Sequence, residues 1–244
     1  MVSRIRADLL LVERGFYESR ARAQSAIAAG LVTADGAVVA KASSTVLSNA
    51  KIVAGAEHPW VSRGGVKLAA ALDHFDIHPA DRFCLDIGAS TGGFTDVLLK
   101  RGARHVVAID VGHAQFHEKL EGNRRITLLE GFDARTLTAS DLAEPPSLIV
   151  FDVSFISLTL VLPPVLGLAP MGATLVALIK PQFEVGRAFL KKGLVKDDVA
   201  RDEAVVRIEA LIVSLGWRSF GIMPSPIEGG DGNVEFLIAA EKIG

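Results

Sequence analysis

Cysteine occurs once in the chain, at Cys84, so no internal disulfide can form. No charged-then-apolar leader precedes Arg4 and Arg6, and the two absences together predict a cytoplasmic protein. An unbroken apolar run of membrane length is missing as well. Val153–Ile179 carries no formal charge and is long enough to cross a bilayer, but Pro163, Pro164, Pro170 and Gly172 cut it into pieces that suit a buried helix followed by a parallel strand. No stable membrane association is therefore expected. Net charge is small, −2, yet unevenly spread: residues 1–67 hold nine Lys/Arg against five Asp/Glu, the remainder seventeen against twenty-three. The basic surplus lies at the front, where an anionic partner would be engaged. With 244 residues, 50% of them apolar, the chain can bury a medium core and a small satellite domain.

The stretch Leu85-Asp86-Ile87-Gly88-Ala89-Ser90-Thr91-Gly92-Gly93-Phe94-Thr95 reads as an apolar strand ending in an acid and a glycine-rich turn that opens a helix. Glycines allow close backbone approach to a ligand, and a helix start offers unpaired N–H groups, so the pattern predicts a nucleotide site. The spacing is G-x-x-x-G-G and lacks the dinucleotide fingerprint G-x-G-x-x-G. It resembles the S-adenosylmethionine loop of class I methyltransferases, which makes S-adenosylmethionine the expected cofactor, with no metal. Strands are predicted at Phe83–Ile87, His105–Asp110, Ile126–Glu130, Leu148–Asp152, Ala173–Ile179, Trp217–Met223 and Val234–Ala240, with helical patterns between most of them. Such alternation predicts an α/β, doubly wound (Rossmann-like) sheet with its ligand at the carboxyl ends of the strands. Pro224–Asn233 joins the last two strands without a helix, so one antiparallel strand is expected, as in class I methyltransferases.

Residues 1–50 form a separate α+β unit in this reading, followed by a linker at 51–60 and the main domain at 61–244. Ala7–Arg14 reads as a helix ended by Gly15, Ser19 as the N-cap of a second helix that stops at Gly30, and Ala34-Asp35-Gly36 as a hairpin turn. Leu9, Leu10, Ala23 and Ile27 are its predicted core, with Arg6, Arg20 and Arg22 outside. The pattern Arg6-x-Asp8-x-x-Leu11-x-x-x-Gly15, then Ser19-Arg20-x-x-Ala23-x-x-x-Ile27-x-x-Gly30-x-Val32, resembles the S-four RNA-binding domain. That resemblance implies docking of structured RNA, with Arg6, Ser19, Arg20, Arg22 and, beyond the module, Arg63 as candidate contacts. Asp35 stands where the family commonly has Asn, adding a negative charge near the expected RNA face.

Asp110 follows Asp86 by twenty-four residues, a distance at which a strand-end acid accepts hydrogen bonds from ribose hydroxyls. Asp133, past the third strand, is a candidate for the adenine amino group, and Phe94 for a cofactor contact. The cofactor set is thus Asp86, Gly88, Ser90, Gly92, Phe94, Asp110, Asp133 and Asp152. Each acid taken singly also reads as a strand-end cap.

Two acceptor chemistries lack their residues. After the fourth strand the chain reads Asp152-Val153-Ser154-Phe155 in place of the Asn-Pro-Pro-Tyr of amino-group methyltransferases, and Cys84, inside the first strand, is no carbon-5 nucleophile. A ribose hydroxyl needs a base and support for the developing alkoxide, which lysines supply once burial or a neighbouring cation lowers their pKa from about 10.4. Lys67, Asp152, Lys180 and Glu235 match in order and context the tetrad of the FtsJ-like ribose 2′-O-methyltransferases. With the front module, and with Val61–Leu68, Lys180-Pro181-Gln182-Phe183-Glu184 and Gly232–Leu237, the chain resembles the TlyA family of hemolysin-named rRNA methyltransferases. This implies methyl transfer to a ribose 2′-oxygen of ribosomal RNA, cytidine being the expected target, on naked RNA or ribosomal subunits. Gly112–His117 and Gly131–Arg135 depart from the family pattern near the adenosine pocket. Lys191-Lys192-x-x-x-Lys196 reads as an RNA-facing loop or as a solvated charge run. A membrane-perturbing hemolysin and a non-catalytic RNA-binding assembly factor are the alternative functions.

Overall fold

Runs such as Leu148–Phe151 and Thr174–Ile179 offer no polar face, which suits strands covered on both sides, and every residue in both is buried. A computed structural model describes residues 3–17, 19–55, 58–229 and 232–244. The chain divides into two units, Met1–Pro59 and Trp60–Gly244.

In the first unit, β1 (Arg4–Arg6) leads into α1 (Ala7–Glu13) and α2 (Arg20–Ala28), followed by β2 (Val32–Ala34), β3 (Ala37–Val38), β4 (Thr45–Leu47) and β5 (Ile52–Ala54). Strand β1 pairs antiparallel with β4, and β2 lies between β3 and β5. The Ser19 hydroxyl accepts the Arg22 backbone N–H at 3.3 Å, making it the cap of α2. Asp35 and Gly36, with φ of 51° and 82°, form the expected hairpin turn, and the Asp35 carboxylate accepts the Lys51 N–H at 2.8 Å. Two expectations need correction. The segment 51–60 opens with a strand: Ile52–Ala54 pairs with β2 through its own ladder, while Ala56 and Glu57 lie outside the described residues. Leu9 is exposed, and Leu11 takes its place in a core with Ala7, Ala23, Ala26, Ile27 and Val32. The reason is helical: Ala7 and Leu11 share a face at i, i+4, and Leu9 points the other way.

The second unit runs α3 (Gly64–His74), β6 (Phe83–Ile87), α4 (Gly93–Lys100), β7 (His105–Asp110), β8 (Ile126–Glu130), β9 (Leu148–Phe151), α5 (Leu158–Leu166), β10 (Thr174–Ile179), α6 (Pro181–Glu184), β11 (Leu190–Lys191), β12 (Leu194–Val195), α7 (Asp198–Ser214), β13 (Trp217–Pro224) and β14 (Phe236–Lys242). Its seven-stranded sheet has the order β13-β14-β10-β9-β6-β7-β8. Five neighbouring strands are parallel, and β14 runs antiparallel to both β10 and β13. This is the expected doubly wound sheet with one reversed strand. Alternation along β6 sends Phe83, Leu85 and Ile87 into the layer with α5 and α7, and Cys84 into the layer with α3 and α4. The uncharged segment 153–179 folds as α5 and the buried central strand β10, and among the described residues no helix is long and apolar enough to cross a membrane.

Candidate active site

The order of the strands puts the site where it is. In a doubly wound sheet the carboxyl ends of parallel strands face one edge, and a crevice opens where the connections diverge. Residues at or just after the ends of β6, β7, β9 and β10, namely Gly88, Asp110, Asp152 and Lys180, therefore share that edge. Because β14 is antiparallel, its beginning lies at the same edge, with Phe236 opposite Ile179. This is how Glu235 comes to stand near Lys180 in the fold.

Two ion pairs join the four tetrad residues. Lys67 Nζ donates to Glu235 Oε2, with the two side chains 9% and 3% exposed. Lys180 Nζ lies 2.6 Å from Asp152 Oδ1 and donates to Ser154 Oγ at 2.8 Å. Each ammonium thus has its own carboxylate. Lys67 and Asp152 both line a cavity of about 130 Å³ with Ser62, Gly64, Thr91 and Phe94. Gly88, Ser90 and Asp152 form a shared wall with a larger cavity of about 320 Å³, lined further by Asp110, Gln115, Phe132, Asp133 and Val153. The larger volume suits a nucleoside-sized ligand.

The glycine-rich loop braces itself. Gly88 and Ala89 N–H both bond Ile109 O, Ser90 N–H bonds Asp110 Oδ2 at 2.8 Å, and Gly92 N–H bonds Ala89 O at 2.7 Å. Gly88 has φ of 84°, and a Cβ there would stand 2.5 Å from the Asp152 carbonyl oxygen, so only glycine lets β6 and β9 turn so closely together. Gly92, also left-handed, faces Leu120 and Phe116 and lies behind the cavity wall. Asp86 is behind it too, fully buried. Its Oδ2 accepts the Thr95 hydroxyl at 2.6 Å and its Oδ1 has no partner among the described residues. Burial pushes its carboxyl up to about 7, against the Thr95 bond, and the charges of Asp152 and Asp110 add to the rise.

Asp110 accepts Ser90 N–H and Gly112 N–H, one on each oxygen, leaving lone pairs for further donors. Asp133 caps the turn at Ala134–Thr136 and is gripped by Arg135 at 2.6 Å, which holds its carboxyl below the usual range. Glu130 accepts Ala114 and Gln115 N–H and so fixes the 112–116 loop beside the larger cavity. Cys84 lies buried in the sheet, its thiol pushed up to about 12 by burial.

Several supporting residues carried little sequence signal. Glu184, buried, accepts the Ser157 hydroxyl at 2.5 Å and Leu158 N–H at 2.8 Å, fastening the start of α5 to α6. Asp96 accepts Val61 N–H at 3.0 Å and Lys100 at 2.9 Å. An acid inside the apolar run Phe94–Leu99 is the one sign that pointed to it. Of the RNA candidates, Arg6 and Arg20 both bind Asp8 at 3.0 Å, Ser19 is engaged as a cap, and Arg63 donates to Glu228 O at 2.9 Å. Asp8 is wholly buried, and the Arg6 guanidinium holds its carboxyl far below the carboxylate range, aided by Gln24 and Arg20.

Residues 60–242 match the FtsJ-like methyltransferase family and residues 5–52 the S4 domain. The 16S/23S rRNA (cytidine-2′-O)-methyltransferase TlyA of Mycobacterium tuberculosis is 44% identical over 241 residues, 98% of this chain and 90% of that protein. Hemolysin A of Brachyspira hyodysenteriae is 39% identical over 235 residues, 96% of this chain and 98% of that protein. A solved hemolysin-named structure from Streptococcus thermophilus superposes with a TM-score of 0.77 at 38% identity, covering 98% of this chain and 89% of that one. An O-methyltransferase from Bacillus cereus, at 19% identity, shares the fold of the second unit with a TM-score of 0.54 over 75% of this chain and 82% of that one. On the match over residues 60–242, with an S4 domain in front, the chain belongs to the FtsJ-like methyltransferase family.

Proposed function

We propose that the second unit transfers a methyl group from S-adenosylmethionine to the 2′-hydroxyl of a cytidine ribose in ribosomal RNA, in the cytoplasm, and that the S4 domain docks the RNA. The observation that carries the reading is that two lysine–carboxylate pairs each send one side chain, Lys67 and Asp152, to the smaller cavity, across a shared wall from the nucleoside-sized one. The larger cavity suits the cofactor: Asp110 keeps acceptor capacity for ribose, Asp133 reaches the same cavity while held by Arg135, Phe132 and Val153 offer apolar surface, and Asp152 favours a cationic sulfur. When bound, the cofactor supplies a methyl group that carries its own leaving group.

The chain's residues then position the acceptor and manage its proton. A ribose hydroxyl in the smaller cavity reaches Asp152, which orients Lys180, and the hydroxyl proton passes to Lys180 Nζ once that amine has given its own proton to solvent. Lys67, fixed by Glu235, faces the same cavity as a cation and stabilises the developing alkoxide. The support from relatives is the cytidine-2′-O-methyltransferase activity in the name of the Mycobacterium tuberculosis protein.

Purified protein, labelled S-adenosylmethionine and each ribosomal subunit test the reading. Nucleoside digestion is expected to return the label as 2′-O-methylcytidine, and Lys180→Ala is expected to lower kcat by at least a hundredfold while retaining cofactor binding. Label on a base, or full transfer by Lys180→Ala, refutes the acceptor or the base assignment respectively.

A further inference from the structure

The hairpin formed by β11 and β12 pairs Leu190 with Val195 and Lys191 with Leu194, leaving Lys192 and Gly193 as a two-residue turn. Their φ values are 54° and 79°, the left-handed pair that Asn-Gly fills without strain. A lysine at the first position carries a backbone cost that packing does not explain, since its side chain is exposed. Lys191, Lys192 and Lys196 all reach solvent, and among the described residues none has an ion-pair partner. The acids next in sequence are occupied: Asp197 caps α7 through Ala200 N–H at 3.1 Å, and Asp198 pairs with Arg201 at 2.8 Å.

This basic turn is not loose. Asn233, 3% exposed, accepts Val195 N–H at 3.1 Å and donates to Gly193 O at 3.0 Å. The amide thereby clamps the hairpin to the chain two residues before Glu235, a step of at most about 7 Å along the backbone. The backbone that carries Lys191 and Lys192, with Lys196 next in sequence, is thus tied to the segment that leads into Glu235, and among the described residues these three cations have no ion-pair partner.

We propose that the Leu190–Val195 hairpin is a phosphate clamp that holds the sugar–phosphate backbone of the nucleotides flanking the methylated ribose, with Lys191, Lys192 and Lys196 as its contacts and Asn233 as the residue that positions it. The proposal rests on the reading of the second unit as an RNA ribose methyltransferase. Phosphate contacts fix register without reading sequence, so the clamp serves placement of the backbone and leaves base choice to other groups.

The test uses the full chain with all three lysines changed to Gln, measured for transfer and for direct RNA binding between 50 and 200 mM salt. A clamp of three contacts predicts a KM for RNA raised at least tenfold, kcat within about twofold of the parent, and a salt dependence of binding shallower by roughly 2 log units per log unit of salt, at about 0.7 to 0.9 per lost contact. Arg at the three positions is expected to restore the parent slope. Lys192→Asn separates placement from folding: the relaxed Asn-Gly turn raises Tm while RNA affinity falls. An unchanged salt slope in the triple Gln variant, or a raised Tm with unchanged affinity in Lys192→Asn, overturns the clamp. Failure of the parent protein to methylate ribose overturns the activity instead, and the slopes of direct RNA binding still decide the clamp.

Discussion

Replacing Lys67 with Met tests the energetic logic of the site separately from its chemistry. Lys67 and Glu235 are 9% and 3% exposed, so the Glu235 carboxylate left behind by the substitution stays buried without a counterion. Breaking a buried pair in this way costs about 3–5 kcal/mol, whereas exchanging both partners for uncharged groups of similar volume is near neutral. Lys67→Met is therefore expected to lose about 3–5 kcal/mol of stability, and Lys67→Met/Glu235→Gln to recover most of it. For a unit the size of Trp60–Gly244, roughly 2–4 °C per kcal/mol, the single variant's Tm falls by about 6–20 °C. Denaturant unfolding followed by tryptophan fluorescence is the assay, because Trp60 and Trp217 are the only tryptophans and both belong to the second unit. Transfer activity behaves differently, staying lost in the double variant. A single-variant loss below about 1 kcal/mol, or a double variant no more stable than the single one, refutes the buried-pair account.

Asp86→Asn removes a carboxyl whose folded-state pKa is raised to about 7 from 3.8, so the native state holds its proton longer than the unfolded chain across that interval and native stability falls as pH rises. The stability advantage of the Asn variant is expected to be near zero at pH 4 and to grow to about 4 kcal/mol by pH 8, at 1.36 kcal/mol per unit; equal curves across pH refute it. Asp8→Asn removes the charge that Arg6 and Arg20 share, and the first unit is expected to unfold more readily at neutral pH, with the difference narrowing as pH falls below the ordinary carboxylate value and the unfolded chain takes up the proton that native Asp8 still resists. Circular dichroism of the full chain at pH 7 and pH 2 checks this. Gly88→Ala sets a Cβ against the Asp152 carbonyl, and loss of cofactor binding measured by calorimetry, with at least a tenfold weaker Kd, is the expected result.

The sheet was readable because its central strands are apolar on both faces and its turns are marked by glycines: the predicted Phe83–Ile87 and His105–Asp110 coincide with β6 and β7. The reversal of β14 followed from the helix-free Pro224–Asn233 stretch. Ile52–Ala54 escaped because a three-residue edge strand has too few residues to display a period. Which oxygen meets which amine is not a periodic property. That Arg6 and Arg20 turn to Asp8, that Lys67 takes Glu235 and Lys180 takes Asp152, and that Asp86 faces Thr95 behind the cavity wall are set by tertiary packing. Asn233 and Glu184 are ordinary polar letters whose role is visible only once their burial is known.

The reversed final strand has a consequence in time. Lys67 on α3 and Glu235 before β14 are 168 residues apart, so the ribosome must make nearly the whole second unit before the pair can close. Until then the ammonium of Lys67 has no counterion to justify its burial, and the helix that carries it has reason to stay loosely packed. Closure of the pair thus waits for the last strand, and a chain released early lacks it.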